Sequence, residues 1–211
     1  MTPEKVYETL LENYGKQHWW PVSSDNEQFE VIIGTMLTQN TSWKNVEKAI
    51  QNLSEEDLIH IQRMRDVETS MLAELIRPSG YFNQKAERLK IMAEFLIQND
   101  ISGLPVKEMR EVLLSIKGVG PETADSIILY AFNKPSFVVD LYTKRIFSRL
   151  GLVDKNACYD EVKRFFESKL ETSVDLFQEY HALIVEHAKR FCKKKPECSA
   201  CPLGRGCKKI F

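Results

Sequence analysis

No stretch of this 211-residue sequence is apolar for long enough to cross a bilayer. The longest apolar run, Val31 to Leu37, falls far short of the roughly 20 residues a spanning helix needs. The opening "MTPEKVYETLLENYGK" carries acids where a secretory leader would carry an apolar segment, so a cytoplasmic location and no membrane partner are expected. Strand-like runs are equally scarce: "SFVVD" is the clearest, and it is too short to build a sheet. Internal repeats and low-complexity linkers are missing. Net charge is almost absent at −1, which by itself does not suggest a polyanion partner. Cysteine is nearly absent before the last twenty residues, where Cys158 stands alone and reads as a buried thiol. The four histidines, His18, His60, His181 and His187, show neither ligand spacing nor a triad, and no chemistry is assigned to them. His18 alone, beside a tryptophan pair, is placed to line a pocket.

What is present is helical periodicity. Val6, Leu10, Leu11 and Tyr14 mark one amphipathic helix, and Phe29, Ile32, Ile33, Met36 and Leu37 a second. Leu89, Met92, Ala93 and Leu96 mark another. Met109, Val112, Leu113 and Ile116 follow behind Pro105, and Ile127, Ile128 and Ala131 lie just beyond. Leu141, Ile146, Phe147 and Leu150, then Phe165, Phe166 and Leu170, then Leu176 to Phe191 complete the series. The fold class is all-α, and the length suits one domain or two small lobes with a real core. The charge is also uneven. Residues 188–211 hold eight lysines and arginines against Glu197 alone, a local +7 that leaves −8 for the rest. A basic end of this kind is a candidate footprint for nucleic acid.

Four cysteines crowd that basic end: Cys192, Cys198, Cys201 and Cys207, a C-x5-C-x2-C-x5-C run. The loop has too few apolar residues to fold by burial, so a bound metal is expected to hold it. Disulfides are disfavoured in a reducing compartment. Zinc and an iron–sulfur cluster both accept four thiolates, and the spacing leaves the two open.

"LLSIKGVGPETADSIILYA", residues 113–131, joins two helical patterns through Gly118-Val119-Gly120. Glycines there let the chain reverse and leave backbone N–H groups facing outward, a nest suited to a phosphate. Pro121 suits the first helical position and Glu122 the first turn. Taken alone, this is also an ordinary helix–helix corner.

Helix, "KGVG", helix, then an aspartate at "VVD" and a terminal four-cysteine loop: in this combination, over nearly the whole chain, the sequence resembles the endonuclease III superfamily of helix-hairpin-helix DNA glycosylases. "LTQNTSW" at 37–43 is similar to the segment that inserts a glutamine, here Gln39, into DNA. "KGVGPETAD" is similar to the hairpin that binds phosphate, here through Lys117, Gly118, Val119 and Gly120. "VVDLYTKRIFSRLG" is similar to the helix of the catalytic aspartate, here Asp140. The resemblance implies a [4Fe–4S] cluster on Cys192, Cys198, Cys201 and Cys207, with zinc as the alternative. The first cysteine gap is five residues where endonuclease III has six. It also implies a six-helix lobe at 22–133 with its hairpin at 113–125. A second lobe would come from 1–21 and 134–211, with the cluster loop at 192–207. DNA would lie across the cleft between them, and the basic Lys193, Lys194 and Lys195 would contact it.

The bifunctional members carry a lysine that attacks C1′ of the sugar and forms a Schiff base; the matching position here is Glu122. A carboxylate cannot form an imine, so AP-lyase activity is not expected. Lys117 sits one turn out of place and reads as phosphate-facing. "HWWP" at 18–21, with "LTQNTSW", "RPSGYFNQKA" and "VVDLY", is similar to the 3-methyladenine DNA glycosylase branch. That likeness places Trp19, Trp20, Pro21 and Trp43 around the everted base, with Glu122 at the same pocket. Indole faces suit a positively charged alkylated purine. The expectation is a monomeric, monofunctional base excision repair enzyme acting on double-stranded DNA that contains damaged bases. Oxidised pyrimidines, mismatched adenine, or a non-catalytic DNA-binding module are the alternatives. Lys85 and Arg88 are read as possible phosphate contacts on a basic helix face.

Overall fold

The computed structural model describes residues 1–17, 19 and 24–210. Among them every regular element is helical, as the periodicity requires. The chain divides into two compact units, Met1–Trp19 with Pro135–Phe211, and Trp20–Lys134.

The second of these is built around one helix. α1 (Pro3–Tyr14) belongs to the other unit; α2 (Glu27–Leu37) is the centre of this one. The apolar pattern predicts one buried face for α2, yet all nine residues from Phe29 to Leu37 are buried. The reason is that α2 packs against α3 (Trp43–Glu55), α6 (Phe82–Gln98), α8 (Pro121–Ser126) and the π-helical turn Ile127–Ala131. Its polar groups are satisfied locally: the Glu30 carboxylate accepts the Ser24 N–H at 2.7 Å, and Thr35 Oγ1 donates to the Val31 carbonyl at 2.8 Å. By contrast α3 is properly amphipathic, burying Val46, Ala49, Ile50 and Leu53. Short helices α4 (Ile61–Asp66) and α5 (Thr69–Leu75) pack on α6. α7 (Val106–Ser115), capped by Pro105, precedes the hairpin.

In the other unit α9 (Leu141–Leu150), α10 (Tyr159–Glu167) and α11 (Val174–Arg190) surround an aromatic core. Phe137 stacks on Phe166 at 4.1 Å, while Phe177 and Tyr180 meet Phe137 edge-on at 5.3 and 5.9 Å. The Tyr180 hydroxyl donates to the Pro3 carbonyl at 2.6 Å and so ties α1 to α11. The "SFVVD" run is extended and buried without pairing as a strand. Side chains satisfy its backbone instead. The Phe137 N–H reaches the Glu167 carboxylate at 3.0 Å, and the Val139 N–H reaches the Tyr159 hydroxyl at 3.3 Å. Two residues differ from their sequence reading. Leu141 is 78% exposed despite its apolar character. Cys158 is exposed rather than buried, because it sits at the N-cap of α10, where its N–H donates to Glu161 at 2.6 Å.

Candidate active site

Asp140 ends the extended run and caps α9. Its Oδ1 accepts both the Thr143 N–H and the Thr143 hydroxyl, each at 2.7 Å. Its Oδ2 faces His181 Nε2 at 3.7 Å, and 12% of the side chain remains exposed. Burial pushes the carboxyl pKa up. The imidazole of His181 and the two Thr143 donors lower it by more, so the group lies below the ordinary carboxylate range. The result is an anion fixed in orientation and ionised at neutral pH, with part of its surface still open.

His181, to which the sequence assigns no chemistry, therefore belongs to this site. Its ring also lies 5.3 Å from that of Trp19, at 47°. Two residues before Trp19, the Gln17 N–H donates to the carboxylate of Glu179 on α11 at 2.7 Å. One signal was available: His181 sits inside an otherwise apolar, fully buried stretch of α11 from Tyr180 to Val185. Of the expected base-pocket residues, Trp20 and Pro21 lie outside the described residues, as does His18.

Trp43, Glu122, Lys117, the hairpin and Gln39 belong to the other unit. Trp43 opens α3 half-buried, with its indole N–H donating to Glu47 at 2.8 Å. Glu122 is exposed in the first turn of α8, and Lys117 is exposed ahead of the turn. The hairpin is locked by an ion pair on a buried carboxylate: half-buried Arg110 Nε on α7 donates to both oxygens of Asp125 on α8 at 3.0 and 3.2 Å. Only one of the two glycines has a conformational reason to be glycine. Gly118 has φ +92°, whereas Gly120 is extended with open space where a β-carbon would sit. Val119 departs from the expected outward nest. Its side chain is buried and its N–H is used inside the turn by the Ile116 carbonyl at 3.0 Å, so it pins the corner rather than facing solvent.

Gln39 is bonded into that hairpin. Its Nε2 donates to the Gly118 carbonyl at 3.1 Å and to Thr123 Oγ1 at 3.0 Å, while its Oε1 accepts from Arg88 at 3.1 Å. Arg88 lies directly on Gly118, where an added β-carbon would meet its Cδ at 2.4 Å. Arg88 is thus a hairpin clamp. Lys85 is not a phosphate contact either: it is buried, and its Nζ donates to the Leu37 and Ser79 carbonyls at 2.8 and 2.7 Å. Burial, with Arg88 nearby, lowers its pKa to about 8.

All four terminal cysteines line one cavity of about 390 Å³, a volume that includes solvent at its mouth, together with residues of α9 and α11. Within the loop Leu203 is the buried apolar residue, so burial alone holds little of it. Arg149 reaches across to it, donating to Cys192 Sγ at 3.3 Å and to the Lys193 and Lys194 carbonyls at 2.7 and 3.1 Å. His187 Nε2 lies 3.7 Å from Cys201 Sγ, with its Nδ1 held by the Tyr14 hydroxyl at 2.9 Å. Among the described residues no three His, Cys, Asp or Glu side chains are grouped so as to hold a metal ion. Four thiols on one cavity are nonetheless a donor set that either zinc or an iron–sulfur centre accepts. Lys193, Lys194 and Lys195 are exposed beside it.

Known proteins share both sequence and fold with this chain. The profile described as HhH-GPD superfamily base excision DNA repair protein matches residues 33–172. A Methanocaldococcus jannaschii protein, assigned by name to the DNA repair glycosylases, is 50% identical over 96% of this chain and 94% of its own. Endonuclease III of Thermotoga maritima is 31% identical over 97% of this chain and 91% of its own. Among solved structures, the H. pylori 3-methyladenine DNA glycosylase bound to 1,N6-ethenoadenine is 32% identical. It superimposes with a TM-score of 0.76 over 90% of this chain and 98% of that one.

Proposed function

Because the chain belongs to the HhH-GPD superfamily of base excision DNA repair proteins, we propose that it is a monofunctional DNA glycosylase hydrolysing the N-glycosidic bond of everted alkylated purines. 3-Methyladenine is the type substrate. The observation that carries the reading is Asp140, an oriented carboxylate that stays ionised and keeps 12% of its side chain open. Breaking an N-glycosidic bond builds positive charge on the sugar. A pre-oriented anion stabilises that charge without reorganising and orients the attacking water. With Oδ1 occupied by Thr143, Oδ2 is the oxygen left for the sugar and its water.

The position that matches the lyase lysine holds Glu122, whose carboxylate has no nitrogen to attack C1′. Water is therefore the nucleophile. Trp19 and Trp43 offer indole faces for an electron-poor base, and the alkylated purine is such a base. The 32% identity to a 3-methyladenine DNA glycosylase supports the same choice. Gln39 would fill the vacated stack, and Lys117, the hairpin backbone and Lys193 to Lys195 would meet phosphates of double-stranded DNA. Cys192, Cys198, Cys201 and Cys207 would hold a [4Fe–4S] cluster. When bound, it supplies the cross-links that the loop's few apolar residues cannot.

The test is analysis of bases released from methylated duplex DNA, run beside borohydride trapping. Release of 3-methyladenine with no trapped protein–DNA adduct is expected. Release of oxidised pyrimidine or mismatched adenine instead would change the substrate class, and a trapped adduct would remove the monofunctional assignment. A brown protein with visible absorbance and about four irons per chain would support the cluster; stoichiometric zinc would replace it.

A further inference from the structure

The Asp140 site contains a side chain that the hydrolysis just described does not use. His181 is 7% exposed, in a stretch of α11 where Tyr180, Ala182, Leu183, Ile184 and Val185 are all buried. An apolar residue would fill that place at lower desolvation cost, so an imidazole there calls for a reason. Two contacts supply it. The Nε2 atom faces Asp140 Oδ2, the carboxylate oxygen that Thr143 leaves to others, at 3.7 Å. The ring itself lies against Trp19 at 5.3 Å. The Gln17 N–H donates to the Glu179 carboxylate at 2.7 Å, which ties the segment just before Trp19 to this part of α11.

We propose that His181 is a positioning residue that acts on two partners at once, aiming Asp140 Oδ2 and propping the indole of Trp19. This rests on the glycosylase reading for its consequence, although the geometry stands without it. One ring then links the group that would read the base to the group that would stabilise the sugar. The base-stacking face and the anion keep a fixed spacing because the same imidazole touches both. The two contacts use different properties of the ring: the carboxylate needs a polar N–H, and Trp19 needs a flat surface. Substitution can separate them.

His181→Phe keeps the flat ring and removes the nitrogens, whereas His181→Gln keeps an amide nitrogen near the Nε2 position and removes the ring. Single-turnover base release and equilibrium binding of the damaged duplex are measured for both, with the Asp140 carboxyl titration followed by 13C NMR on the free protein. The Phe variant should lose about tenfold or more in the chemical rate constant with binding within about twofold. Its Asp140 titration should move upward. The Gln variant should keep that titration near wild type, retain most of the rate constant and bind the damaged duplex more weakly. An unchanged Asp140 titration in His181→Phe overturns the proposal. So does loss of rate and affinity in the same proportion in both variants, which is what a merely structural histidine would give. If wild-type protein released no base from any substrate, the glycosylase reading would fall while the titration would still decide the role of His181. Should the Phe variant not fold, His181→Leu, which likewise lacks the ring nitrogens, decides by the same titration: an upward move supports the proposal and an unchanged value overturns it.

Discussion

Asp140 and Gln39 are both polar side chains at helix ends, and they are held in opposite ways. Asp140 is bonded by its own helix through Thr143 and faced by His181, and its remaining oxygen needs no rearrangement to act. Gln39 has both ends of its amide tied up, to Gly118, Thr123 and Arg88. A side chain held like the first can work where it stands. One held like the second must break three hydrogen bonds before it can fill a gap in DNA. On the proposed glycosylase reading, Asp140 would act where it stands, while Gln39 would be drawn out by the substrate.

The sharpest way to break this contrast is Gln39→Ala. It should weaken binding of a duplex with an everted base by about 10- to 100-fold, the loss of a gap-filling side chain where unstacking costs a few kcal/mol. Thermal stability should fall only slightly, since the bonds it gives up are partly replaced by water. A large fall in melting temperature with unchanged DNA affinity would make Gln39 a structural tie instead. Lys85→Met should come next, costing about 1–3 kcal/mol in denaturant unfolding, because two buried carbonyls at Leu37 and Ser79 lose their donor. Those carbonyls flank the Gln39 segment and the "RPSGY" turn, so DNA affinity should fall with stability. Smaller still is the glycine pair. Gly118→Ala should cost about 1–2 kcal/mol for its left-handed φ and its contact with Arg88, while Gly120→Ala should stay within about 0.5 kcal/mol. Equal costs would refute the assignment of the turn to Gly118 alone.

The smallest effect concerns pH. The folded carboxyl of Asp140 lies below its unfolded value, so its stabilising contribution is complete above the ordinary aspartate pKa of about 3.9 and is lost as pH falls through the lower folded value. Single-turnover rates should therefore show no fall between pH 8 and pH 5 attributable to this group. An inflection near pH 6 that disappears in an Asp140 variant would contradict it.

Local pattern carried much of this account. The helical periods foretold an all-helical fold, and the combination of hairpin, aspartate and cysteine run pointed to the superfamily to which the chain belongs. What the pattern missed depended on tertiary contact. Lys85 reads as surface because lysine seldom buries, yet two carbonyls brought together by folding give its ammonium a place inside. His181 and Asp140 lie far apart in sequence, and neither foretells the other. Both glycines of the hairpin look equivalent on paper, but only Gly118 has a positive φ. Leu141 lies about half a turn round α9 from Ile146, Phe147 and Leu150 and so falls on its outer side at the first turn, and Cys158 is exposed at a helix cap. Periodicity reads which face is apolar in the middle of a helix, and it reads the ends poorly.

The most direct test is single-turnover base release from methylated duplex DNA by Asp140→Asn, measured beside its affinity for the same duplex. Asparagine keeps the size and the capping acceptor while removing the charge. The account predicts a fall of about 10³-fold in the chemical rate constant with affinity nearly unchanged. A variant that releases base at the wild-type rate would contradict it, because the charge at position 140 would then have no part in breaking the bond.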